Sequence, residues 1–119
     1  MYGVPADVDW SFLYSKELEQ VCIGSFDVQL RFFGDVGISI YGGFDHLGPD
    51  GSPLSDRPDL PDRATTLVSL LKCRVTDARP DGGKTLALRF SNGESLRIHD
   101  DDEHYETFTV SSAGPLIVV

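Results

Sequence analysis

The stretch VQLRFFGDVGISI, Val28–Ile40, returns 58 residues later as LALRFSNGESLRI, Leu86–Ile98. Both read as strand, tight turn, strand, and both carry Leu-Arg-Phe ahead of the turn. In the first copy Val28, Leu30 and Phe32 alternate with Gln29 and Arg31, and Val36, Ile38 and Ile40 repeat the alternation on the return. Side chains two apart share a sheet face. A loop of Phe33-Gly34-Asp35 pairs Phe32 with Val36, Leu30 with Ile38 and Val28 with Ile40, so all six apolar residues lie on one side. A two-residue loop slips the register by one and splits the set between faces. In the second copy, Phe90 opposite Glu94 sets Leu88 against Leu96 and Leu86 against Ile98. The loop is then Ser91-Asn92-Gly93, with glycine where a three-residue hairpin needs a left-handed backbone. Arg31 and Arg89 point outward at matched positions, where cross-strand pairing and solubility are their expected roles.

The flanking sequence extends each hairpin into a similar half. After an irregular arm, Asp9 is placed to cap a short helix that begins at Trp10. That helix runs either to about Glu19 or, in the preferred reading, only to about Lys16, followed by a strand over Leu18–Ile23. Gly24 and Ser25 break the chain, and the next strand begins at Phe26, which alternation places inward with Phe32. Between the halves, His46–Arg63 carries prolines at 49, 53, 58 and 61 and reads as a long surface loop. Thr65–Leu71 is a short helix or turn, Cys73–Ala78 a strand, and Arg79–Gly83 a loop. Tyr105–Ser111 is a strand with Phe108 and Val110 inward, and Leu116–Val119 is a last apolar strand. The expectation is one domain over 1–119, mainly β in a β-rich α+β class, with one or two short helices. Two similar hairpin-containing halves, about 10–45 and 64–111, are joined by the Pro-rich loop 46–63. They pack as a small sandwich or a strongly curved, partly closed antiparallel sheet.

Composition narrows the function. The chain has 119 residues, 40% of them apolar, with 10 Lys and Arg against 19 Asp and Glu, a net charge of −9. A chain of this length buries about two-thirds of its unfolded surface and needs no metal or disulfide to fold. The charge opposes nucleic-acid phosphate and anionic membrane faces, and suits a basic protein partner. No run of about 18 apolar residues spans a bilayer, and Met1–Asp9 lacks a signal core, so the expected location is cytoplasmic. Cys22 and Cys73 sit at similar places in the halves and read as reduced, buried thiols rather than a disulfide.

Chemistry-bearing patterns are sparse. Asp100-Asp101-Asp102-Glu103, followed by His104, is dense in carboxylate but lacks the spaced loop of a calcium site. It reads as a solvated turn or a partner surface. His99, His104 and Asp101 can be drawn as a hydrolase-like set, yet no nucleophile is placed for them, and His46 lies far away in sequence. No G-x-S-x-G, H-E-x-x-H, C-x-x-C or phosphate-binding loop occurs. Gly42-Gly43 and Gly82-Gly83 are loop glycines. Phe33 in the first turn, and Tyr41 and Phe44 beyond the second strand, are aromatics beside acids; they suit protein-binding anchors, and the equal alternative is that Phe33 and Phe44 fold over the sheet end. The candidate partner-binding set is therefore Phe33, Asp35, Tyr41, Phe44, Asp45, Asp100, Asp101, Asp102, Glu103 and His104. No catalytic or metal-ligating residues and no cofactor are expected, and the protein is expected to be a monomer or weak homodimer.

The second half also shows a strand, F-x-[ND]-G, a strand, an acidic turn, a Y-E-x-[WF] strand and a glycine-led terminal strand. The motif falls on Phe90, Asn92, Gly93, Tyr105, Glu106 and Phe108. In this it resembles a family of small bacterial β-rich proteins of unknown function, some of which resemble immunity proteins of polymorphic or contact-dependent toxin systems. The resemblance implies a non-enzymatic protein that neutralises a basic cognate toxin through an acidic surface. Its competitors are a small hydrolase-like enzyme built on His and carboxylates, and a structural protein.

Overall fold

The computed structural model describes residues 3–102, 104–112 and 116–119. Nine strands form two antiparallel sheets: β1 Leu18–Ile23, β2 Val28–Phe32, β3 Val36–Ile40, β4 Phe44–Leu47, β5 Val75–Asp81, β6 Thr85–Phe90, β7 Ser95–His99, β8 Phe108–Ser111 and β9 Ile117–Val118. One sheet has the order β1-β2-β3-β8-β9 and the other β4-β7-β6-β5. Each hairpin-containing half supplies three consecutive strands to one sheet, and then the chain crosses. β4 follows β3 but pairs with β7, while β8 follows β7 but pairs with β3. This exchange ties the two sheets into one sandwich-like, mainly-β α+β fold.

Both hairpin registers are those set by the apolar alternation. Phe32 pairs with Val36, Leu30 with Ile38 and Val28 with Ile40. Leu88 pairs with Leu96 and Leu86 with Ile98, and Phe90 N–H donates to Glu94 C=O at 2.9 Å. The third loop residue is left-handed in both turns, Asp35 at φ 62° and Gly93 at φ 87°. The repeated Leu-Arg-Phe motif has a direct consequence in the core. Its two phenylalanines, Phe32 and Phe90, stack across the core with ring centroids 6.5 Å apart. Burying each ring stabilises the fold by roughly 1.5–3 kcal/mol.

Where the halves meet, an isolated antiparallel backbone pairing of Glu17 with Arg74 and the Leu18 N–H to Cys73 C=O bond at 2.9 Å join the start of β1 to the approach to β5. Cys22 and Cys73 are free thiols, and both are half-buried rather than buried. Asp9 Oδ1 accepts from Ser11 N–H at 3.0 Å, as a cap, but the helix it opens is a single 3₁₀ turn, Trp10–Leu13, far short of Lys16.

Several expectations need correction. Phe26 is 86% exposed, because the chain reverses at Gly24–Asp27 and carries it to the turn tip before the ladder begins. The loop 46–63 is not wholly irregular: β4 reaches Leu47, and a helix, α1, starts at Leu60 and runs to Ala64 before a 3₁₀ segment, Thr65–Leu70. β5 begins at Val75 and continues through Pro80 to Asp81, and β8 begins only at Phe108. Pro80 is tolerated because β5 is an edge strand.

Candidate functional site

The candidate partner residues separate into two groups. Phe33, at 63% exposure, and exposed Asp35 form the β2–β3 turn. Tyr41, Asp45, Asp101, Asp102 and His104 lie at the other end of the hairpin, about 15 Å away over a five-residue strand. Gly43 N–H donates to Asp101 Oδ2 at 3.1 Å and joins the 41–45 and 100–104 segments. A Cβ on Gly42 would sit 2.9 Å from Asp101 Oδ1, and one on Gly43 would collide with Asp101 Oδ2, so this glycine pair makes room for a carboxylate.

Two members of the set are not surface groups. Phe44 is 1% exposed, since β4 turns it into the core opposite Ile98. Asp100 is 7% exposed; it accepts from Gly3 N–H at 2.6 Å and faces the Thr107 hydroxyl at 3.4 Å. Asp102 Oδ1 accepts from the N–H groups of His104 and Tyr105 at 2.8 and 3.2 Å. Three carboxylates of the acidic run are thus engaged with the protein's own backbone. Glu103 lies outside the described residues. His99, His104 and Asp101 do not form one cluster: the ring nitrogens of His99 bond Thr85 and Asp45, and Asp101 bonds Gly43.

A different constellation is assembled by β4, the β6–β7 turn and the 3₁₀ segment. His46 lies on the inner face of β4 and its side chain is 1% exposed. Its Nε2 is 2.6 Å from Glu94 Oε1, and its Nδ1 is 2.8 Å from Thr66 Oγ1. Burial is the main reason His46 is pushed below the ordinary imidazole range, and Glu94 opposes that shift without overcoming it. At neutral pH the ring is therefore uncharged. A carboxylate only accepts, so Nε2 carries the proton and Nδ1 is left to accept from the Thr66 hydroxyl. Ser69 Oγ donates to the same Glu94 oxygen at 2.7 Å.

The order hydroxyl, imidazole, carboxylate is that of a nucleophile, its general base and the group that orients the base. Thr66 also lines an open cleft of about 350 Å³, walled by Leu54, Ser55, Asp56, Arg57, Asp62 and Thr65. Among the described residues no ion pair involves Arg57.

A second relay of the same order stands beside it. Thr85 Oγ1 is 2.9 Å from His99 Nδ1, and His99 Nε2 is 2.8 Å from Asp45 Oδ2. Asp45 also pairs with Arg63 at 3.2 Å, and the Arg63 guanidinium lies 5.6 Å from the centre of the Phe44 ring. The contacts Thr66–His46, Ser69–Glu94 and Arg63–Asp45 all run from the helical segment to the four-stranded sheet. They therefore also pin that segment to the sheet edge.

His46, Thr66, Thr85 and Glu94 are absent from the candidates drawn from the sequence. Glu94 carried a readable signal. It occupies the position of Val36 in the first hairpin, so it faces inward, and an inward carboxylate needs a partner.

Among the described residues no group of three or more His, Cys, Asp or Glu side chains is arranged to hold a metal ion. Nor is any described helix long and apolar enough to cross a membrane. No family model, curated protein or solved structure matches the chain.

Proposed function

We propose that the chain is a small hydrolase-like enzyme in which Thr66 is the nucleophile, His46 the general base and Glu94 the orienting carboxylate. The observation that carries this reading is the pair of short contacts on one buried imidazole, 2.8 Å to Thr66 and 2.6 Å to Glu94, behind an open cleft. In this reaction Thr66 Oγ attacks an acyl carbon, and its proton moves to His46 Nδ1. The resulting imidazolium is stabilised by Glu94 and gives the proton to the leaving group as its bond to the acyl carbon breaks; water, deprotonated by His46, then hydrolyses the acyl ester on Thr66 and restores the hydroxyl. Arg57, in the cleft wall, supplies positive charge for the developing oxyanion. A general base contributes about 10²–10⁴-fold in rate. Turnover of p-nitrophenyl acetate and covalent labelling by a fluorophosphonate are therefore expected in the native chain. Both should be retained by Thr66→Ser and lost in Thr66→Ala, and turnover should fall by about 10²-fold or more in His46→Gln. Equal turnover in Thr66→Ala, or an adduct mapped away from Thr66, would refute the assignment.

A second reading is an immunity-type module that binds a basic toxin domain. Exposed Phe33 and Tyr41, together with the net charge of −9, favour it. It draws less from the geometry, because Asp100, Asp101 and Asp102 accept the chain's own N–H groups and Phe44 is buried. Titration calorimetry against the toxin encoded beside the gene should give saturable binding that Phe33→Ala or Tyr41→Ala weakens. No heat of binding with that product would count against it.

A further inference from the structure

The outer face of the four-stranded sheet runs against the charge of the chain. A groove of about 660 Å³ lies there, lined by Arg79, Arg89 and Arg97 together with Asp77 and Asp81, a local excess of one positive charge in a protein of net charge −9. The sheet register explains the cluster. Arg97 pairs across to Ala87 and Ala87 to Arg79, while Ser95 pairs to Arg89 and Arg89 to Asp77. The small residues Ala87 and Ser95 make the floor, three long cations stand around it, and Gly48, Pro49 and Gly51 form one wall.

Two of the cations are held in place by acids. Arg79 Nε bonds Asp77 at 2.7 Å, and an Arg97 terminal nitrogen bonds Asp81 at 2.7 Å. Each guanidinium keeps further donors, since it has five N–H groups and each ion pair occupies one nitrogen. Arg89 has no ion pair among the described residues. Anchored guanidiniums lose less conformational freedom when they bind a ligand, and their planar forks match carboxylates. The volume exceeds what one small anion fills and lies in the range of pockets that bury a drug-sized ligand, room for two or three side chains of a peptide segment.

We propose that this groove binds a short acidic peptide segment of a partner protein, with its carboxylates on Arg79, Arg89 and Arg97. The site is separate from the Thr66 cleft and does not depend on its chemistry. Fluorescence anisotropy with a fluorescein-labelled hexaglutamate peptide tests it on the full chain. Because the protein as a whole repels this probe, saturable binding at low salt that weakens as salt is raised is the expected result. Loss of one charge-assisted contact in Arg89→Gln should weaken binding about ten-fold. Ala87→Leu should weaken it by raising the floor, with all charges retained. Arg31→Gln, at the matched position on the other sheet and bonded to Gln29, should leave it unchanged. Thermal melts confirm that each variant is folded. Equal binding of hexaglutamine, no saturable binding of hexaglutamate, or an unchanged affinity in folded Arg89→Gln overturns the proposal. Inorganic phosphate binding as tightly as the peptide also overturns it, by showing a small-anion site instead.

Discussion

Replacing Glu94 by Val gives the second hairpin the residue that the first carries at the matched position, Val36. The outcome depends on what is left behind. In Glu94→Val, His46 keeps its Nε2 proton, its side chain stays 1% exposed, and its acceptor at 2.6 Å is gone. An orphaned buried donor costs about 1–3 kcal/mol. His46→Leu is milder. Glu94 retains the Ser69 donor at 2.7 Å and, with a side chain 15% exposed, some contact with water. The Thr66 hydroxyl can turn to Arg63 C=O at 3.3 Å. The double variant has neither an orphaned donor nor a buried carboxylate, so its stability should lie close to that of His46→Leu alone. The coupling energy from the cycle should therefore be about 1–3 kcal/mol. Urea unfolding at pH 7.5 measures it through the midpoint, provided the slope is unchanged. Single costs that add to within about 0.5 kcal/mol would show that the His46–Glu94 contact does not couple the two residues, and would refute the argument.

Three further outcomes follow from the same structure. Burial lowers the His46 pKa from 6.5, so the unfolded chain binds a proton more readily than the folded one just below that pH. Stability should be fully present well above pH 6.5 and decline as pH falls through 6.5, by up to about 1.4 kcal/mol per unit, and His46→Gln should flatten this limb in chemical-denaturation curves. Leu30→Ala and Leu88→Ala, at matched and fully buried positions, should each cost about 2–5 kcal/mol in urea unfolding, against about 0.5 kcal/mol or less for Arg31→Gln and Arg89→Gln. Gly82→Ala, at φ 72° with open space around it, should lower the melting temperature by the equivalent of about 1–2 kcal/mol; Gly93→Ala, at φ 87° with Pro49 Cβ 3.3 Å from the added methyl, should lower it further.

The parts of this fold that alternation alone determines were legible in the sequence. Slipping either hairpin by one residue would split its inward apolar row between the two faces, six side chains in the first copy and five in the second, a penalty that no turn preference offsets, so the registers of Phe32–Val36 and Leu88–Leu96 could be read directly. Alternation does not say where a ladder ends. Phe26 continues the pattern of β2, yet the Gly24–Asp27 reversal removes it from the sheet. β4 is four residues long and sits between Gly42-Gly43 and a Pro-rich run, so its strand character comes from a partner, β7, about fifty residues away. The exchange of β4 and β8 between sheets is likewise a long-range pairing with no local signal.

The candidate site follows the same division. Its partners lie on three separate segments, at residues 46, 66 and 94, so no motif spacing links them. One of the three, however, breaks the rule that fixed the fold. Once Phe90 is placed opposite the end of the turn, Glu94 must face inward beside a row of leucines, and a carboxylate there requires a buried donor. Of the three histidines only His46 alternates with an inward aromatic, Phe44, on a strand paired to β7. Two polar side chains at inward strand positions, His46 and Glu94, therefore point to each other, and Thr66 is the hydroxyl brought to them when the Pro-rich segment docks its helix against the sheet.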